Sequence, residues 1–169
     1  MKHVIPAAVL IASLLSPIAF VLAAEDVGQM PFCLHCGMDR QTFAHSRMLV
    51  TYDDGTRVGT CSIHCLAIDL AVNIDKTPSS IMVGDFASKE LIDAEQAFWV
   101  IGGNKPGVMS KQAKWAFAEK EGAEAFIKEN GGTPATFEEA MKAAYESMYA
   151  DVKMIREKRQ MKKMKGHAH

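Results

Sequence analysis

Four cysteines in two close pairs restrict the fold of this chain more than any other feature. Cys33-Leu34-His35-Cys36 and Cys61-Ser62-Ile63-His64-Cys65 are separated by 24 residues. Disulfides closed within each pair would form tight rings, tie no distant segments together and stabilise little. Both pairs converging on one ion would instead join two distant segments through a tetrahedral thiolate centre. The spacing therefore points to a metal site of Cys33, Cys36, Cys61 and Cys65, and to a fold that sets the two pairs side by side.

The compartment keeps the disulfide alternative open. Lys2 and His3 precede an apolar stretch from Val4 to Phe20, then Val21-Leu22-Ala23-Ala24 and the first acids, Glu25 and Asp26. A positive end, an apolar middle and small residues at the cut make a secretory signal peptide over 1–24, cleaved after Ala23 or Ala24, so the chain is expected to be exported. Left uncut, the same segment is long enough to anchor the domain, since about 20 apolar residues span a bilayer; Pro6, Ser13, Ser16 and Pro17 interrupt it. Outside the cytoplasm four cysteines can also form two disulfides, in any of three pairings. Haem attachment needs His directly after Cys36, where Gly37 stands. A thiol oxidoreductase pair normally opens a helix that follows a strand, whereas Cys33 follows Met30-Pro31-Phe32.

After cleavage 145 residues remain, enough for one ordinary domain. Residues 25–150 carry 18 acidic and 11 basic residues, whereas 151–169 carry 2 and 7. An acidic body with a basic tail indicates neither nucleic acid nor an acidic substrate, and such tails are usually solvated extensions or docking elements.

Local pattern supplies the elements. Met48 to Tyr52, the turn Asp53-Asp54-Gly55 and Thr56 to Thr60 predict a β-hairpin that leads directly into Cys61. Ile63, Leu66, Ala67, Leu70 and Ala71 mark one face of a helix over 62–73, with Cys65 in its first turn. Ile81 to Phe86 is a returning strand, after a break at Lys76-Thr77-Pro78-Ser79-Ser80. Ala97 to Ile101 and Trp115 to Phe117 are strands around a Gly-rich loop, and Glu119 to Asn130 is a helix capped by Gly131. Thr136-Phe137-Glu138-Glu139 is a capping box. The helix it starts carries an apolar seam of Met141, Tyr145, Met148, Val152 and Ile155 that must face something; the seam stops at Arg159, and Gln160 to His169 is a frayed basic tail.

Thiolates suit zinc, Cu(I) or iron–sulfur clusters, and added thioethers favour Cu(I). Met38 lies two residues after Cys36, and Met109 sits in the Gly-rich loop, so both join the candidate ligands. His35 and His64, inside the cysteine pairs, either ligate, orient a ligand or do neither. His45 is expected on the surface. In the tail, Met154, Met161, Met164, His167 and His169 are a weaker secondary candidate beside a plain solvated extension.

These residues together resemble the nitrous-oxide-reductase accessory proteins called NosL, a family of exported copper-binding proteins. The resemblance runs through Phe32-Cys33-Leu34-His35-Cys36-Gly37-Met38, Asp54-Gly55, Cys61-Ser62-Ile63-His64-Cys65-Leu66-Ala67, Asp93 to Gly103, Met109, and Ala116 to Gly132. The Cys-Ser-x-x-Cys element is also similar to that of treble-clef-type metal-sensing domains. The resemblance implies an α+β fold of two packed ββαβ units, here 25–90 and 91–135, followed by a C-terminal helix and basic Met/His tail over 136–169. It also implies Cu(I) held by Cys33, Cys36, Met38, Cys61, Cys65 and Met109. The implied function is non-catalytic delivery of copper to a client copper enzyme, nitrous oxide reductase or its assembly machinery, in the periplasm. Many members are lipoproteins with a cysteine at the cleavage site; Ala23 and Ala24 occupy it here, so membrane contact is expected only if the signal segment stays uncut. The alternatives are a structural or sensing module with Zn(II) in the four cysteines, and a thiol oxidoreductase.

Overall fold

The hairpin expected from the β-branched runs is present in the computed structural model, which describes residues 26–166. The expected cleavage site and the tail residues His167 and His169 lie outside the described residues. Strands β1 (Met48–Tyr52) and β2 (Arg57–Thr60) pair antiparallel, with Met48 opposite Thr60. Their turn places Gly55 at φ +80°, a left-handed conformation that glycine adopts without steric cost. Helix α1 (Ile63–Val72) follows at once from the extended Ser62. Strand β3 (Pro78–Gly84) returns along β1, and β4 (Leu91–Asp93) adds to it, giving the order β2-β1-β3-β4. The strand predicted from Ile81 thus begins three residues earlier, because Pro78 stands at the strand's first position, where its missing N–H disrupts the ladder least.

The second unit repeats the plan. Strands β5 (Phe98–Ile101) and β6 (Lys114–Phe117), helix α2 (Lys120–Asn130) and strand β7 (Thr133–Ala135) form a sheet in the order β6-β5-β7. In each unit the first strand is central and the strand after the helix pairs with it, so the α+β arrangement of two small antiparallel sheets is as expected. Neither unit is closed alone. One core joins Met48, Val50, Tyr52 and Leu66 of the first to Trp99 and Ala116 of the second, and to Phe137, Ala140, Met141 and Ala144 of the C-terminal helix. Sharing a core answers the size problem, since units this small bury too little surface to be stable separately.

Helix α3 spans Phe137–Gly166. Its capping box forms as predicted: the Thr136 backbone N–H donates to Glu139 Oε2 at 2.8 Å, and the Glu139 N–H donates to Thr136 Oγ1 at 3.2 Å. The segment from Gln160, expected to be frayed, is instead helical as far as Gly166. Gln, Met and Lys are good helix formers, and Lys163 and Lys165 oppose the negative end of the helix dipole. Among the described residues no helix is long and apolar enough to cross a membrane.

Candidate metal centre

The first cysteine pair sits on a turn folded onto itself. Phe32 and Asp39 form an isolated antiparallel bridge, the Cys33 N–H donates to Met38 O at 2.8 Å, and the Gly37 N–H donates to Cys33 O at 2.9 Å. Gly37 makes the reversal at φ +73°. The turn is stitched to β2 by the Leu34 N–H, which donates to Gly59 O at 3.2 Å. The second pair comes from the exit of β2 and the first turn of α1, where Ser46 Oγ donates to Cys61 O at 2.9 Å.

One buried arginine holds the two segments in register. Arg40 is wholly inaccessible. Its guanidinium donates to Asp26 Oδ2 at 2.7 Å, to Met30 O at 2.7 Å, to Met48 O at 3.0 Å and, through Nε, to Thr60 O at 3.1 Å. Met30 lies just before the first pair and Thr60 just before the second. Arg47 bonds the other oxygen of Asp26 at 3.1 Å.

The result is a cluster in which all four cysteines are free thiols with sulfurs within 4.8 Å of one another. Cys36 Sγ lies 3.4 Å from Cys61 Sγ, and Cys61 Sγ lies 3.8 Å from Cys65 Sγ. A tetrahedral ion with bonds of about 2.3 Å to sulfur spaces its ligands about 3.8 Å apart, so the four sulfurs fit a thiolate-bound metal. Cys33, Cys61 and Cys65 are buried, and only Cys36 is partly exposed. Hydrogen bonds from Cys36, Cys61 and Cys65 hold Cys33 well below the ordinary thiol range. Cys61 and Cys65 are pushed up, chiefly because they donate to Cys33 and Cys36, with burial adding to the effect.

Met38 and Met109 both pack against this cluster, together with Phe43 and Val108. Met109 has φ +60°, rare for a residue with a side chain, so its loop is held there by its surroundings. One restraint is the Lys111 N–H, which donates to Asp151 Oδ1 on α3 at 2.9 Å.

The histidines divide into separate roles. His35 Nε2 donates to buried Asp69 Oδ1 at 2.8 Å, and Asp69 Oδ2 accepts from Tyr52 OH. His35 is thereby oriented through a carboxylate, the usual support of a ligating histidine, with Nδ1 left over. His64 is 2% exposed; its Nδ1 stands 3.9 Å from Asp151 Oδ2, and neither atom has a hydrogen-bond partner. Burial lowers the His64 pKa. His45, expected on the surface, is instead half-buried against the rings of Phe43, Phe86 and Trp115. Phe86 and Trp115 lie far along the chain, so no local pattern marked it.

A cleft of about 250 Å³ opens beside Cys36 and Cys65. His35, His64 and Met109 border it on one side, and Val152, Ile155, Arg156 and Arg159 of α3 on the other. Arg159 Nη2 donates to Cys36 O at 2.9 Å. The apolar seam of α3 therefore faces the metal centre at its far end, a role the sequence signalled only as a face in need of a partner. Met161 and Met164 are exposed.

Comparison with known proteins adds to this geometry. A family model described as NosL matches residues 24–145. Among solved structures, the crystal structure of the copper chaperone NosL from Shewanella denitrificans is similar, with a TM-score of 0.52 and 23% identity, over 64% of this chain and 87% of that one. The comparison with curated proteins found no match.

Proposed function

The chain belongs to the NosL family, and from that membership we propose that it is an exported, non-catalytic accessory protein that holds Cu(I) and passes it to a copper enzyme during maturation. The favoured client is nitrous oxide reductase, reached in the periplasm. The observation that carries this reading is the cluster of four free cysteine sulfurs within 4.8 Å, with two methionines packed against it. Thioethers beside thiolates select Cu(I) over harder ions. The similar Shewanella protein being a copper chaperone supports the same assignment.

Transfer by ligand exchange needs one approachable ligand, and Cys36 is the half-exposed sulfur at the mouth of the cleft. An incoming thiolate, thioether or imidazole bonds to the ion there while Cys36 leaves. The three buried sulfurs hold the ion until the exchange is complete.

The complete four-thiolate set favours one rival, structural zinc. Structural zinc makes metal binding and folding one event, whereas a carrier stays folded when empty. The main core contains none of the cysteines, so the empty protein is expected to fold. An anaerobic Cu(I) titration of the reduced protein against a competing chelator, with Zn(II) in parallel and circular dichroism at each point, separates the two. Tight Cu(I) binding without gain of structure supports the carrier. Zinc-dependent folding would replace it with the structural reading.

Two further results are expected. Met38→Leu and Met109→Leu preserve volume and should leave the fold intact, while each lowers Cu(I) affinity about tenfold; unchanged affinity in both would remove thioethers from the site. Because Cys61 and Cys65 are pushed above the ordinary thiol range, loading must expel their protons, and apparent affinity should rise as pH rises between about pH 6 and 8. Competition titrations across that range measure the slope, and a flat profile would mean that the empty cluster is already ionised.

A further inference from the structure

We propose that the last three turns of α3 are a docking arm for an acidic partner protein, which the arm delivers to the Cys36 side of the metal centre. The proposal rests on the carrier function above. Helix α3 has 30 residues and is about 45 Å long at 1.5 Å per residue. Its first turns are buried in the shared core, and Val152 and Ile155 border the cleft. From Arg156 to Lys165 every residue is exposed, so this stretch projects with little of the body packed on it. The family match ends at residue 145, and the arm lies wholly beyond it.

Charge identifies the occupant. Residues 152–165 contain seven basic side chains and one acidic, opposite in sign to the body. At 100° per residue, Lys158, Lys162, Lys163 and Lys165 spread over more than one face, and Met161 and Met164 are the arm's large apolar groups. A helix that inserts into a bilayer surface needs a continuous apolar face, which this one lacks. An acidic protein surface fits instead. Arg159 joins the arm to the site, since it bonds the carbonyl of Cys36, the most accessible of the four cysteines. A partner held on the arm is therefore beside the sulfur that exchanges first. Such attraction speeds encounter by about 10- to 1,000-fold and fades as salt rises.

The test uses two fluorescent acceptor peptides with one Met/His copper-binding core, flanked in one by glutamates and in the other by lysines. Anisotropy follows their binding to the empty mature protein, and stopped flow follows transfer from the Cu(I)-loaded protein. The glutamate peptide should bind selectively and receive copper about tenfold faster at low salt, with the preference lost near about 1 M salt. The triple variant Lys158→Glu, Lys162→Glu, Lys163→Glu should prefer the lysine peptide while its chelator-measured Cu(I) affinity stays unchanged. Equal binding of both peptides by the wild type overturns the proposal. So does capture by phosphatidylglycerol vesicles without peptide preference, which assigns the arm to membrane, or charge-dependent dimerisation, which assigns it to the acidic body of a second copy. Failure to bind Cu(I) would defeat the carrier function but leave the anisotropy result to judge the arm.

Discussion

Replacing Cys36 with serine should lower Cu(I) affinity on the order of a thousandfold, equivalent to about 4 kcal/mol of binding free energy, and leave the fold intact. The substitution exchanges a soft sulfur for a hard oxygen at one corner of the cluster. Cys36 is the informative choice because it is only half-buried and bonds Cys61 through sulfur alone, at 3.4 Å. A hydroxyl there can be solvated through the cleft, so stability should change little. The same substitution at buried Cys65 would combine ligand loss with burial of a hydroxyl, and the two effects would be hard to separate. Chelator competition measures the affinity and urea unfolding the stability. An affinity within tenfold of wild type would show that Cys36 is not a ligand, and would remove the entry point proposed for exchange.

Arg40→Ala should destabilise the protein by about 3–5 kcal/mol, the range for removing one member of a buried ion pair. The arginine is fully buried and bonds Asp26 and the carbonyls of Met30, Met48 and Thr60. Its loss leaves those carbonyls without this donor and leaves Asp26 to Arg47. Because the bonded carbonyls flank both cysteine pairs, Cu(I) affinity should fall as well. Gly59→Ala tests the same contact from the other side, since its Cβ would stand 2.6 Å from the Arg40 guanidinium. An unfolding free energy from urea titration within about 1 kcal/mol of wild type for Arg40→Ala would mean that surrounding groups repair the network, contrary to the expectation for a buried charge.

Much of the fold was legible because it rests on local signals. The hairpin follows from β-branched runs about Asp54-Gly55, α1 and α2 from apolar spacing, and the start of α3 from Thr136 and Glu139. Strand β4 was missed, and β7 was expected only from the ββαβ plan, because three residues are too few to show alternation. Arg40 gave no sign of burial, since a lone arginine in a polar stretch reads as solvated. The link from His35 to Asp69 and Tyr52 joins residues 34 and 17 positions apart, a separation that no period records. The C-terminal segment was read as frayed beyond Arg159 because its charge suggested solvation; helix propensity and continuation from a well-anchored start prevailed.

By itself the sequence determined the pairing of the cysteines, the elements that carry them and the family to which the chain belongs. Those properties reside in covalent spacing and in periodicities of two to four residues, which a linear string preserves. Only the tertiary structure decided that the four sulfurs converge within 4.8 Å, that Met38 and Met109 both reach them, and that α3 closes one side of the cleft. Each depends on packing between segments tens of residues apart, and such packing is settled by the shape of the shared core and by buried Arg40 rather than by any local pattern.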